Sequence, residues 1–595
     1  MKNIEAKKYV IFGAGTYGKQ ALDELGLEKV QCFVDNDSKK WGNIIYGKKI
    51  IPFEELKQIY KKYEVIIAMD LCKSDIIIKQ LEENGIKNYA VLLKMPRDIR
   101  NQKKYEENLV NVNKVYTDAI KWLYDRSIKR QGISENSNQK SPRLRTSGCF
   151  IPTLINWGHR ELAKTYASWL CHMQQPDGSW YEDNEEVYSI AVSAQVIKGL
   201  LAISTYDDSV NKHIISGCDY LISHIEKEYC SNMEYICCLS PLIEAAKRFN
   251  CIKYREVAEK ALYNYKNNRV DEIINLRTLS SVYADAMESL IDIGEKEFVQ
   301  QFMEKIAKMQ LENGMIPASN GADWTCATWL FQFALVWYKM EDYERGNRTF
   351  KYACSLQNKS GGWYDIYSKE CKYNTVEVKL EDNCKNPETS SAIKYFLDAL
   401  EYKCKLEFES QAYLFSDTID KKDGRYEAVL KEIRAYQRDG LKICDVGCGK
   451  GRYLKNLHED ICGNELYAVD ISTRVMEGIN VTDEKKEGML THIPYENEKF
   501  DFVYSVEALE HAIDTTSAIR EMLRVTKKNG QVMIIDKNVE AMGRLPICAW
   551  EKWFDNTQMQ KLAEKFCCKF RMVENISYED NKKDGLFNAW IFYKN

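Results

Sequence analysis

Two stretches of this 595-residue chain bring glycines and an acid together at spacings that can do chemistry. In "KICDVGCGKGRYLKNL", residues 442–457, a short apolar run passes Asp445 and enters Gly447, Gly449 and Gly451 before a helical pattern begins. The next apolar run, "LYAVDIS", ends in Asp470, 19 residues past Gly451. Near the N-terminus "YVIFGAGTYGKQAL" sets Gly13, Gly15 and Gly18 after a strand-like run, and "VQCFVDND" closes on Asp35, 17 residues past Gly18. Glycine lets a turn tighten and lets a ligand approach the backbone closely. Strand, GxGxxG, helix, strand and acid is the dinucleotide-binding order: helix N–H groups face a phosphate and the acid can hold a ribose.

Three kinds of patterning must position these residues. Residues 1–95 alternate strands and helices, with "EVIIAMD" a third strand and "SDIIIKQLEENG" a second helix. From about residue 105 to 403 strand signals vanish and apolar residues recur at i, i+3, i+4, as in "ELAKTYASWLCHM" and "ATWLFQFALVWYKM". This span reads as one all-helical domain of ten to twelve helices, with "KRQGISENSNQKSPRLRTSG" a mobile loop inside it. Over 410–595 the alternation returns, with strands in "KFDFVYSVEALEHAID" and "NGQVMIIDKN" and an antiparallel pair at the end. The fold class is therefore multidomain: an α/β Rossmann-like unit, an all-α middle domain and a second α/β domain.

Within the helical span a repeat recurs. "WLCHMQQPDGSW" carries Gln174, Gly178 and Trp180; "YACSLQNKSGGW" carries Gln357, Gly361 and Trp363; "KIAKMQLENGMI" keeps Gln310 and Gly314 but ends on Ile316. The glutamine can bond free backbone groups near the turn, glycine ends the helix, and the aromatic covers the turn. The pattern resembles the QW-type repeats of the α/α toroids, which include terpenoid cyclases, prenyltransferase subunits and polysaccharide-processing enzymes. No DxDD-like acidic cluster and no convincing zinc ligands accompany it. Arg145, Thr146, Tyr188, Asp323, Trp324 and Glu388 sit at loop–helix junctions where they can line a cup or merely cap and pack.

The formal charge of −4 gives no sign of a nucleic-acid binder. No run of 18 apolar residues occurs and no signal peptide is recognisable, so a cytoplasmic location is expected. The 20 cysteines are scattered without a CxxC pair, which fits free thiols, and the 7 histidines suggest no metal site.

Residues 11–56 resemble the small Rossmann-like domain at the front of bacterial sugar acyltransferases. That resemblance makes Gly13, Gly15, Gly18 and Asp35 binding candidates for a nucleotide-linked sugar or NAD(P), with Asn36 and Asp37 beside them. No Tyr-x-x-x-Lys pair follows, which argues against hydride chemistry.

Residues 425–540 resemble the class I S-adenosylmethionine-dependent methyltransferases. "DVGCGKGRYL", "YAVDIS", "IPYENEKFDFVYSVEALEHAID" and "IREMLRVTKKNGQVMIIDK" stand in the family's order. The resemblance implies that Gly447, Gly449 and Gly451 lie against the methionine part and ribose of the cofactor. It gives Asp445 to the ammonium, Asp470 to the ribose hydroxyls and Ile471 to the adenine. Where the family often has an acid for the adenine amino group stands Met489, so recognition falls to the backbone of Met489 and Leu490. Val506 and Glu507 sit where the family lines the methyl-transfer centre. For a hydroxyl acceptor, His511 is the first candidate base and Glu507 the second. Asp536 and Lys537 are candidate acceptor contacts, while Trp550, Trp553 and Phe554 can form an acceptor wall or ordinary core.

The expectation is a methyltransferase acting on a sugar hydroxyl of a cell-surface saccharide, a small-molecule or glycan acceptor. Two rivals stand beside it: a carbohydrate-active lyase or epimerase in the helical domain with a fused methyltransferase, and a non-catalytic glycan-binding scaffold. The oligomeric state is not expressed in the sequence.

Overall fold

The computed structural model describes residues 8–45, 47–69, 71–91, 99–182, 189–228, 233–268, 281–318, 322–368, 386–541, 551–577 and 586–595. The N-terminal strands are β1 (Tyr9–Phe12), β2 (Val30–Val34), β3 (Ile44–Ile45), β4 (Lys48–Ile51), β5 (Glu64–Ile67) and β6 (Tyr89–Val91). They form one sheet in the order β3-β4-β2-β1-β5-β6, antiparallel only between β3 and β4. Helix Thr16–Leu25 starts two residues after Ala14 and packs close: a Cβ on Gly18 would run into the Gly13 carbonyl.

Between residues 99 and 411 the described residues are mainly helical. Helices Leu144–Asn156, Ser189–Ile203, Leu239–Phe249, Ser281–Asp292, Ala327–Lys339 and Ser390–Gln411 each pack on the next, and the last returns to the first. These helices are apolar over much of their surface; in one, every residue from Ala327 to Tyr338 is buried. Helices Ile99–Arg126, Arg160–Met173, Asn211–Glu228, Ile252–Asn268, Lys296–Met309 and Tyr343–Ser355 pack against them. A two-residue antiparallel pairing links β7 (Trp324–Thr325) to β8 (Tyr367–Ser368).

The repeated turns act as staples. Gln174 Nε2 donates to the carbonyls of Gly178 (3.0 Å) and His213 (2.9 Å), and Gln357 Nε2 to those of Gly361 (3.0 Å) and Val115 (2.9 Å). Gln310 Nε2 reaches the Arg345 carbonyl at 3.0 Å. Trp180 and Trp363 are fully buried and donate to the carbonyls of Leu170 and Ala353, both at 2.8 Å. The glycines do more than end helices. Gly178, Gly314 and Gly361 hold φ of +92°, +92° and +94°, and a Cβ there would strike the carbonyls of Ser216, Arg348 and Asp118 on neighbouring helices.

The polar stretch after residue 128 is corrected from a mobile loop to a tethered one. Ser137 N donates to the Glu388 carbonyl (2.8 Å), Ser390 N to that of Glu135 (2.9 Å), and the helix begins already at Leu144. Helix Ser390–Gln411 likewise runs past the expected domain edge at residue 403.

The last domain holds β9 (Lys442–Val446), β10 (Glu465–Asp470), β11 (Glu484–Glu487), β12 (Phe500–Val506), β13 (Thr526–Lys537), β14 (Lys569–Ile576) and β15 (Phe587–Tyr593). Their order is β11-β10-β9-β12-β13-β15-β14, with β15 antiparallel to both neighbours. Past a register shift between Phe500 and Phe502, β12 residues alternate between two cores, Phe502, Tyr504 and Val506 in one and Val503 in the other. No helix among the described residues is long and apolar enough to cross a membrane.

Candidate functional site

The site forms where β9, β10 and β12 end together. The chain leaves β9 through Gly447, Gly449 and Gly451 at φ of +79°, +54° and +72°, backbone that side-chain-bearing residues rarely adopt. Gly447 N donates to the Val469 carbonyl at 2.8 Å, and a Cβ on it would collide with that of Ala508. A Cβ on Gly449 would meet nothing, so a ligand can approach this backbone closely.

Asp470 Oδ2 accepts from Gly449 N at 2.9 Å and its Oδ1 from Ser472 N at 3.3 Å. Asp445 lies deeper, 2% exposed, and accepts from the Tyr504 hydroxyl at 3.0 Å. Burial pushes both carboxyls up, Asp470 to about 6 and Asp445 to about 7, the latter against the pull of the Tyr504 bond. Groups held this way are stabilised by a cation or by hydroxyl donors. The cavity above them measures about 500 Å³. Ile471, Met489 and Leu490 line it on one side, Val506, Glu507 and His511 on the other.

Glu507 sits at φ +52°. Burial opposes its charge, but Arg425 and Arg452 override this and hold its carboxyl near 2. Arg452 Nη2 lies 2.5 Å from Oε2, and Arg425 pairs with the same oxygen. So weak a proton acceptor suits a counter-ion better than the second base suggested by the sequence.

His511 is half-buried, and its desolvation lowers it to about 4 and keeps the ring neutral. Its Nε2 lies 3.5 Å from Glu510 Oε1, while Nδ1 is buried without a hydrogen-bond partner. Lys537 Nζ bridges Glu510 (2.6 Å) and Glu551 (3.5 Å). Asp536 is fully buried and accepts from the amides of Glu510 (3.0 Å) and Lys537 (2.9 Å), a structural role. Trp553 and Phe554 are core residues, and Trp550 lies outside the described residues.

Three lining residues come from the helical domain: Trp157, Cys404 and Phe408, the last edge-on to His511 with ring centroids 4.9 Å apart. Sequence reasoning missed these, together with Arg425, Arg452 and Tyr504. Only Tyr504 had a usable signal, since in parallel register it stands directly beside Asp445.

Around the N-terminal glycines the arrangement differs. Asp35 Oδ2 accepts from Ala14 N at 2.9 Å and Oδ1 from Asp37 N at 2.9 Å, and Lys40 Nζ sits 3.0 Å from Oδ2. Gly15 faces open space, whereas Gly13 is pressed against the Ala68 carbonyl.

In the helical domain Arg145 pairs with Asp285 at 3.1 Å, and Asp285 also accepts from Gln332 (2.7 Å) and Tyr395. Glu388 accepts from Trp122 (2.6 Å), Asn358 (2.9 Å) and Ser360, an internal brace. Thr146 is buried, Asp323 and Trp324 are exposed, and Tyr188 lies outside the described residues.

Residues 444–534 match the family described as "Methyltransferase domain", and residues 5–92 the family described as "C2185-like, N-terminal". The chain is 28% identical over 126 residues to malonyl-(acyl-carrier protein) O-methyltransferase of Erwinia billingiae, covering 20% of this chain and 49% of that protein. It is 27% identical over 156 residues to the chloroplastic tocopherol O-methyltransferase of Arabidopsis thaliana, covering 23% and 40%. A SAM dependent methyltransferase from Aquifex aeolicus aligns at 18% identity and a TM-score of 0.25, covering 30% of this chain and 99% of that one. The chain spans about half the length of the first of these curated relatives, 49%. The C-terminal domain is a SAM-dependent methyltransferase domain, and S-adenosyl-L-methionine is its cofactor.

Proposed function

We propose that the protein transfers a methyl group to a hydroxyl of a sugar or glycan intermediate of cell-surface polysaccharide assembly, in the cytoplasm. One observation carries the reading. Besides Asp470 the cavity is lined by two aromatic residues, Trp157 and Phe408, and by the charged groups Glu510, Lys537 and Glu551. Such a compartment suits a ring with a C–H face and hydroxyl edges.

S-adenosyl-L-methionine, when bound, supplies a methyl group on a sulfonium that already carries its leaving group. The chain's residues then bind and align. Asp470 holds ribose hydroxyls, Asp445 faces the ammonium, and the glycines remove obstruction. Alignment of this kind can supply roughly 7–11 kcal/mol of the barrier. His511, which lines the cavity, is the side chain that accepts the acceptor's proton in this reading, with Glu510 3.5 Å from its Nε2.

The helical domain is read as an α/α toroid; its cyclic packing order and stapled turns support that reading. The N-terminal domain is read as a nucleotide-binding unit, supported by the open approach to Gly15, in which Lys40 must release Asp35 before a ribose can bind. A second reading, a helical domain that itself acts on saccharides, draws on the Arg145–Asp285–Tyr395 cluster.

Labelled methyl from the cofactor should appear in a glycan fraction with the wild type and not with Asp470→Ala. Label confined to lipid, protein or nucleic acid would overturn the sugar assignment.

A further inference from the structure

The loop Gly488–Thr491 lines the cofactor cavity together with Asp470 and Ile471. Gly488 N bonds back to the Asp470 carbonyl at 2.9 Å, and His492 N to that of Met489 at 2.9 Å. Beyond these bonds the loop is held from outside its own domain. Thr491 Oγ1 donates to the Asn156 carbonyl at 2.6 Å, and His492 Nδ1 meets Asn156 Oδ1 at 2.9 Å. Asn156 is the last residue of helix Leu144–Asn156.

The orientation of this contact follows from its neighbours. Asn156 Nδ2 donates to both oxygens of Glu401, at 3.1 and 2.9 Å, so Oδ1 must be the atom turned toward His492. His492 therefore carries its proton on Nδ1, and Nε2 accepts from the Tyr206 hydroxyl at 2.5 Å. The same seam is fixed further along. Arg160 pairs with Glu521 at 3.1 Å, and that carboxylate also accepts from Ile493 N at 3.1 Å. Gly158, at φ +79°, leaves no room for a side chain beside Ser517 and the Thr491 carbonyl.

We propose that Asn156 and Glu401 of the helical domain are positioning residues for the cofactor pocket, fixing the loop Gly488–Thr491 against which the adenine base is read. Because Met489 stands in place of an acidic adenine contact, recognition of the base depends on where the loop backbone lies. That placement is set by two helices of another domain. The proposal rests on the cofactor assignment.

The test uses the full chain, with S-adenosylhomocysteine and its inosine counterpart as calorimetric probes. Asn156→Ala is expected to weaken S-adenosylhomocysteine by about 5- to 20-fold, the loss of one or two hydrogen bonds, and to shrink its preference over the inosine analogue. The thermal midpoint should hold. Thr491→Val should act in the same direction, and Thr491→Ser should restore binding. Unchanged affinity in Asn156→Ala would overturn the proposal. So would an equal loss for both probes with a fallen midpoint, which marks general unfolding of the seam. A wild type that binds neither probe would overturn the cofactor assignment as well, which separates the two failures.

Discussion

The turn after β1 and the turn after β9 start from the same local instructions. In each, a glycine N–H bonds back to the residue before the acid, Gly13 to Val34 and Gly447 to Val469. In each, the middle glycine, Gly15 or Gly449, opens on free space. They part at the carboxylate. Asp470 spends its protein bonds on two amides and stays on a cavity wall. Asp35 is taken by two amides and by Lys40, brought back by the short 3₁₀ turn Ser38–Lys40. A glycine turn and an acid define a potential site; the residues just after the acid decide whether its lone pairs remain for a ligand.

Four outcomes sharpen or break that comparison. The largest is Asp470→Ala, expected to cost more than about 100-fold in S-adenosylhomocysteine affinity by calorimetry, two charge-assisted hydrogen bonds at about 1.5–3 kcal/mol each. Asp35→Ala should leave the same affinity within about twofold, and an equal loss would erase the contrast. Next is pH. Asp445, pushed up to about 7 by burial, must lose its proton to pair with a cationic ligand. Affinity should therefore fall by up to about tenfold per unit as pH drops below about 7, and level off above it. Asp445→Asn should flatten that profile.

Third, Asp35→Ala should destabilise the N-terminal sheet by about 1–3 kcal/mol, because the amides of Ala14 and Asp37 lose their acceptor. Amide exchange over residues 9–12 and 30–34 would report it. The smallest effect belongs to Lys40→Met, which frees Asp35 Oδ2. Weak ADP-ribose binding should strengthen by a few-fold in a fluorescence titration, and no change would mean that the salt bridge is not what limits the site.

The difference between the two turns also marks what could be read from residues alone. The glycine turn, the acid ending the next strand and the Gln–Gly–Trp staples are local, within about twenty residues, and all were legible. The family resemblance, not the strand pattern, singled out Asp445 and Val506, and both line the cavity. What was hidden depends on contacts between distant segments. Arg425 meets Glu507 across 82 positions, and Trp157 reaches the cavity from the helical domain. The tethering of the loop after residue 128 was hidden for the same reason, since its partners lie near Glu388. Periodicity reports which face of an element is buried, not which element buries it.

Helix Ser390–Gln411 is one continuous rod whose first half is buried among its fellow helices, while Cys404 and Phe408 border the methyl-transfer chamber. The seam between the two modules therefore offers no clean place for scissors. A fragment begun at residue 410 would keep the three glycines and both acids of the site, yet it would be a room missing a wall, open to water where Cys404 and Phe408 now stand.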